Sequence, residues 1–121
     1  VYSRSASQKA TGASVQFSTR RTEPNFTTTP FINTAINTLA AGRDQRPHRH
    51  NGVAVTLAIQ GEGIHSMIDG ERIDWVSGAA QITPATTLHS HHNRGEKRMR
   101  ALVIQDEGLH IYTRTPGFSF D

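Results

Sequence analysis

The feature that most constrains this chain is how often its apolar stretches are cut. Between Val53 and Thr83, runs such as "VAVTLAI" and "IHSMI" are broken by "QGEG" (Gln60–Gly63), by Asp69-Gly70 and by Gly78, and Pro84 follows. Asp-Gly is favoured in two-residue type I′ hairpin turns because both central residues take positive φ. No window of helical period is long enough for a substantial helix, whereas strand-length runs recur throughout. The expected strands are Ile32–Leu39, Val53–Ile59, Ile64–Ile68, Glu71–Val76, Ala80–Thr83, Met99–Gln105 and Leu109–Thr113. Short antiparallel strands at this spacing predict an all-β sandwich or barrel.

A chain of 121 residues suits one such domain. Its 35% hydrophobic and 19% charged residues, with 10 Gly and 5 Pro, fit a turn-rich β fold better than a helical bundle. No apolar run approaches the ~20 residues that span a bilayer, so no membrane partner is expected. With no Cys, neither a disulfide framework nor a thiolate site is available, and no signal-peptide pattern is present; a cytoplasmic location is the expectation. Val1 in place of an initiating Met raises the expectation of processing or trimming. The formal charge of +3 is scattered over Arg20, Arg21, Arg43, Arg46, Arg49, Lys97, Arg98 and Arg100, with no aromatic-interleaved stripe. This argues against nucleic acid and for a surface that favours anionic small molecules. Residues 1–30 are rich in Ser and Thr and lack sustained periodicity, so they are expected to form an extended N-terminal arm with one strand around Ser14–Ser18. Residues 31–121 form the barrel domain.

The chemistry is concentrated in the histidines. In "RPHRHNG", strand alternation puts His48 and His50 on one face and Arg49 on the other. Two imidazoles on one face supply two corners of a coordination polyhedron. A third must come from a neighbouring strand, and "LHSHHN" offers His89, His91 and His92. Imidazole suits zinc, copper, iron and nickel, and three protein ligands leave positions open for a substrate. The competing reading is a set of polar rim histidines without a metal. His92 is expected to face away from His91. His65 is expected to be a hydrogen-bonded structural residue, and His110 a packing or surface residue. Gln105 and Asp106 are assigned to a solvated turn, and Phe31, Met67 and Trp75 to the core or an interface. "GEG" at Gly61–Gly63 is not a phosphate loop, since no Gly-Lys-Ser/Thr follows. No hydrolase triad order is readable.

Gly42, five residues and His48-Arg49-His50, running to Gly61, resemble the first cupin motif. Gly78, five residues, Pro84, His89 and Asn93 resemble the second, with Thr86 where a glycine is usual. Over residues 31–113 this resemblance implies a single-domain cupin, a jelly-roll β-barrel with a metal in its mouth bound by His48, His50 and His89. Where cupins commonly add a glutamate ligand, this chain has Ala54 and Val55. The implied site is three neutral imidazoles, which leaves the full charge of a divalent metal to attract anionic, chelating oxygen substrates.

That pattern, with "PHRHNGVAVTLAIQGEG", "DGER" and "ITPATTLHSHHNRGE", resembles the gentisate and hydroxynaphthoate ring-cleaving dioxygenases. The likeness implies an Fe(II) dioxygenase acting on a hydroxy-aromatic acid or diketone, with His91 assisting the chemistry. Mn, Ni or Zn are the alternative metals. Thr56 stands where those enzymes carry a substrate-holding arginine, and Arg46 and Arg49 are candidates to attract an anion from the rim. A homodimer is expected, with the arm reaching across to the partner. Two other functions fit the same residues. One is a non-oxidative isomerase or lyase whose metal polarises a carbonyl. The other is a non-catalytic small-molecule-binding cupin.

Overall fold

The structure, a computed structural model, describes residues 2–5 and 12–121. In chain order its strands are β1 Tyr2–Ser5, β2 Gly12–Phe17, β3 Asn33–Leu39, β4 His48–His50, β5 Ala54–Gln60, β6 Ile64–Ile68, β7 Glu71–Asp74, β8 Ala80–Thr83, β9 His89–Asn93, β10 Met99–Gln105 and β11 Phe118–Phe120. A 3-10 turn at Glu23–Asn25 and one short helix, α1 Glu107–Tyr112, complete the described elements. Two antiparallel sheets form a jelly roll. One has the order β1-β2-β3-β10-β5-β8 and the other β11-β4-β9-β6-β7.

The expected Asp-Gly hairpin is present. Ile68 pairs with Glu71, and the two residues between them, Asp69 and Gly70, have φ of 48° and 84°. That is the type I′ signature, whose twist matches the strands it joins. The expected arm strand is found as β2, which pairs with β3, while β1 was not anticipated and pairs with β2. The expected strand at Leu109–Thr113 is instead part of α1. Among the described residues no strand pairs there, and Gly108 lets the helix rest on the chain at Pro30–Phe31. A Cβ at Gly108 would lie 2.6 Å from the Pro30 carbonyl oxygen.

Strand β5 shows how the interior is organised. Ala54, Thr56 and Ala58 point inward and are buried, whereas Val55, Leu57 and Ile59 point outward. The run "VAVTLAI" is therefore apolar on both faces, but only its small residues enter the barrel. The true apolar core is compact. Leu39, Ile64 and Met99 form one cluster, Ala54, Ala101 and Val103 another, and Trp75 packs against both. Asn93, fully buried, joins β9 to β3 and to the turn that follows. Its amide donates to the carbonyls of Leu39 and Lys97 at 3.0 and 2.8 Å and accepts from the Gly95 N–H at 3.0 Å. A buried amide with all these bonds made is stabilising, and losing them would leave enclosed carbonyls unpaired.

Thr86 lies in the left-handed region at φ 65°. For a β-branched residue this is strained by roughly 1–2 kcal/mol. Glycine removes that strain but gives up some unfolded-state entropy. Thr86→Gly is therefore expected to stabilise the fold by about 0.5–1 kcal/mol in urea unfolding. An equal or lower midpoint would show that Thr86 is not strained.

Candidate metal centre

The sequence places His48 and His50 on one face of β4, and the fold turns that face into the barrel. Both are buried and Arg49 is exposed on the other side. The segment before β4 already runs beside β9, with the Asn93 N–H donating to Arg43 O at 3.0 Å and the Gln45 N–H to His91 O at 2.9 Å. This brings His89 directly opposite His48 in register. The ring centroids of His48 and His89 are 4.2 Å apart, those of His50 and His89 4.7 Å, and those of His48 and His50 5.9 Å. Their ligand nitrogens all lie within 4.8 Å of one another.

Each of these rings is aimed by one hydrogen bond. Nδ1–H of His48 donates to Arg46 O at 2.9 Å, that of His50 to Gly52 O at 2.7 Å, and that of His89 to Thr87 O at 2.9 Å. A carbonyl can only accept, so the proton sits on Nδ1 and Nε2 carries the lone pair. Burial lowers the pKa of His48 and takes that of His89 down to about 4, against the opposing pull of their carbonyl partners. Three buried rings, each with Nδ1–H held by a carbonyl and Nε2 turned toward the others, are the donor set a divalent transition metal takes, and the residues present fit such an ion.

His91 faces the same interior. Its Nδ1 is 2.8 Å from Ser66 Oγ, which also receives a 2.7 Å hydrogen bond from Trp75 Nε1. The edge of Trp75 meets the His91 ring at 5.4 Å. Burial, reinforced by repulsion from the neighbouring imidazoles, drives its pKa down to about 3.

His92 faces the other side of β9, as alternation predicted. Its Nδ1 pairs with Asp44 Oδ1 at 2.6 Å and its Nε2 with Ser90 Oγ at 2.8 Å. That pairing holds the Asp44 carboxyl below its ordinary pKa. His65 lies on this outer face too, stacked on His92 at 4.8 Å, so it does not line the barrel. His110 sits on α1, 3.8 Å from Asp106. Both rim arginines contact main-chain oxygens. Arg46 holds the Asp121 main-chain oxygen and lies over the Phe120 ring, and Arg49 turns outward toward Thr86 O.

Three contributors escaped the sequence reading. Gln105, expected in a solvated turn, faces inward. Its Nε2 lies 3.3 Å from His50 Nε2 and its Oε1 accepts from Asn33 Nδ2 at 3.0 Å. Ser66 carries no mark in the sequence beyond its alternation with Ile64 and Ile68. Strand β11 pairs with β4, which stacks Phe118 on His48 at 5.3 Å and brings Phe120 to 6.1 Å. The alternation of "FSF" was the available signal. Beside His50, a hollow of about 330 Å³ opens between Arg49, Asn51, Thr86, Phe118 and Ser119. Thr56 is inward and buried beside Gln81, and the inward residues of β5 and β10 are all uncharged.

These observations agree with the comparisons to known proteins. The Cupin domain family model matches residues 35–105. Gentisate 1,2-dioxygenase of Streptomyces sp is 31% identical over 83 residues, covering 69% of this chain and 22% of that protein. The 5-aminosalicylate 1,2-dioxygenase of Comamonas sp is 31% identical over 70 residues, covering 56% of this chain and 19% of that protein. The chain thus spans about a fifth of the length of the curated relatives it matches. Among solved structures, the salicylate 1,2-dioxygenase of Pseudaminobacter salicylatoxidans superposes with a TM-score of 0.83 at 20% identity, over 89% of this chain and 31% of that one. Two facing antiparallel sheets, an inward histidine cluster where strands β4 and β9 meet, and a family match over more than half its length make this chain a member of the cupin family.

Proposed function

We propose that the chain is a metal-dependent dioxygenase domain that acts on a small hydroxy-aromatic acid. His48, His50 and His89 hold the metal, Fe(II) by preference, and His91 is the catalytic residue beside it. The observation that carries this is the convergence of three Nε2 lone pairs, each oriented by a carbonyl on its own strand or turn. The dioxygenase names of the sequence relatives support the reaction class. A ferrous ion so bound supplies Lewis acidity toward a chelating pair of substrate oxygens and electron transfer toward dioxygen. The protein's own share is different. Phe118 and Phe120 shield His48 from water, Gln105 occupies the His50 Nε2 lone pair until a metal takes it, and His91 holds or moves a proton at a substrate oxygen. A reducing cytoplasm is the compartment that suits an oxidisable ion.

A second substrate class is favoured by one observation. The inward walls of β5 and β10 are uncharged and Thr56 stands among them, so inside the barrel only the metal offsets a carboxylate, while Arg49 borders the hollow beside His50. A neutral chelating diketone fits those walls as well as an acid does.

The division into an arm over residues 1–30 and a barrel over residues 31–121 belongs to the same proposal, as does a homodimer. Register aligns outward side chains of the larger sheet into two rows. One is Val15, Ile36, Leu102 and Leu57, and the other Phe17, Thr34, Ile104, Val55 and Ile82. Ile82 is 63% exposed and Leu57 37%. Neither row holds a charge, so a second copy can lie face to face without repulsion. At ~4.8 Å between strands the rows run ~14 and ~19 Å, enough for the core of an interface of ~800 Å² per partner. Monomers rarely leave so large an apolar face open.

Three outcomes are expected. Protein loaded anaerobically with Fe(II) should retain about one equivalent after desalting and take up oxygen with hydroxy-aromatic acids, while His89→Ala should lose at least tenfold in metal affinity. Uptake with diketones alone would select the second substrate class. No retained metal would overturn the proposal.

The metal-free protein should also lose stability on mild acidification. Between the ordinary value of 6.5 and about 4, the unfolded chain protonates His89 while the folded one does not. Stability present above pH 6.5 should fall by on the order of 2–3 kcal/mol over that window and then level for this group, measured by urea unfolding against pH. A flat profile would show that His89 is not held neutral by burial.

Finally, sedimentation should give twice the monomer mass for the native chain and the monomer mass for Leu57→Glu. A monomeric native chain would rule out the dimer.

A further inference from the structure

Four imidazoles face the barrel interior, and they are not held alike. His48, His50 and His89 each direct Nδ1 at a main-chain carbonyl, which accepts and never donates. His91, two residues beyond His89 on the same face of β9, directs Nδ1 at a hydroxyl instead. A serine hydroxyl can donate or accept, so its other partners decide which it does.

Those partners leave one arrangement. The indole N–H of Trp75 can only donate, and it donates to Ser66 Oγ at 2.7 Å. Ser66 is 0% exposed, so its own proton cannot turn to solvent. Among the described residues, the single acceptor within its reach is His91 Nδ1, at 2.8 Å. If Nδ1 carried a proton, the Ser66 hydroxyl would receive two hydrogen bonds and bury its own proton unpaired. Such an orphaned donor costs on the order of 1–3 kcal/mol. The hydroxyl therefore donates to Nδ1, and the neutral ring keeps its proton on Nε2. That Nε2 has no hydrogen-bond partner among the described residues and is not sealed in the packing.

We propose that Ser66, itself oriented by Trp75, is a positioning residue that fixes His91 as the Nε2–H tautomer. His91 then presents a hydrogen-bond donor to the barrel interior, opposite in sense to the three lone pairs beside it. Its consequence for catalysis rests on the dioxygenase proposal, since a donor there serves an oxygen atom held at the three-histidine cluster. The tautomer itself does not depend on that proposal.

The test begins with the metal-free protein, labelled with nitrogen-15, in which long-range proton–nitrogen correlations separate protonated from unprotonated ring nitrogens. His91 signals are identified by their loss in His91→Gln. The expected spectrum shows His91 protonated at Nε2 and His48, His50 and His89 protonated at Nδ1. Ser66→Ala should move a substantial fraction of His91 to the Nδ1–H form, and Ser66→Thr, which keeps the hydroxyl, should restore the native pattern.

Native His91 protonated at Nδ1 would overturn the proposal, and so would a Ser66→Ala spectrum identical to the native one. Should Ser66→Ala fail to fold, the native and Ser66→Thr spectra still decide. In the Fe(II)-loaded protein, Ser66→Ala should lower kcat on the order of 100-fold with KM little changed, while Ser66→Thr stays near native. The expected tautomers in a protein that takes up no oxygen would sink the dioxygenase reading and leave this one standing.

Discussion

Everything at the candidate site depends on a short hydrogen bond made three times, from an imidazole Nδ1–H to a carbonyl two residues away along the chain. It orients the ring, assigns the proton and leaves Nε2 unprotonated. Because each carbonyl belongs to the strand or turn that carries its histidine, the orientation is set locally. Only the meeting of the rings needs the two strands to be in register, and a single pairing, His48 with His89, provides it. The buried carbonyl of Gly52 finds its donor in the same bond, so there site and fold gain together.

Filling a barrel with imidazoles constrains the opposite sheet. Four histidines, Trp75 and Gln105 occupy the interior, and the walls facing them are built from small residues such as Ala54, Thr56, Ala58 and Ala101. The larger aliphatic side chains of β5, β8 and β10 stand largely on the outer face, where Leu57, Ile59, Ile82 and Ile104 are partly exposed. A sheet that is apolar on both sides is the price of a polar interior. Its compact core, centred on Leu39, Ile64 and Met99, is correspondingly small, and buried bonds such as those of Asn93 carry more of the cohesion.

Much of this was legible in one dimension. Asp69-Gly70 named its turn type because few residue pairs accept two positive φ values in succession, and the structure has that turn. The alternation in "HRH" placed two rings together and Arg49 apart. Other features were not legible, each for a definite reason. The segment "LHIY" alternates like a strand, yet an isolated run becomes a strand only when a neighbour offers it hydrogen bonds, and here a glycine-mediated contact with Pro30–Phe31 favoured one helical turn. Gln105 looked like the start of a solvated turn because strand ends are ambiguous by a residue or two. Arg46, a candidate to attract anions, is occupied by the far end of the chain, which no local pattern could disclose.

By itself the sequence determined the periodicities: which residues alternate, where the chain reverses, and that His48 and His50 share a face. These are local properties, set by backbone sterics and the two-residue repeat of a strand. Tertiary structure alone decided what each of those faces meets. It chose the inward face of β5 over the outward one and set His89 rather than His92 against His48. It also put a hydroxyl opposite His91 where carbonyls stand opposite the others. The reason is physical. A proton's place on an imidazole, and a side chain's access to a cavity, depend on atoms tens of residues away in sequence, and only strand pairing brings those atoms within hydrogen-bond distance.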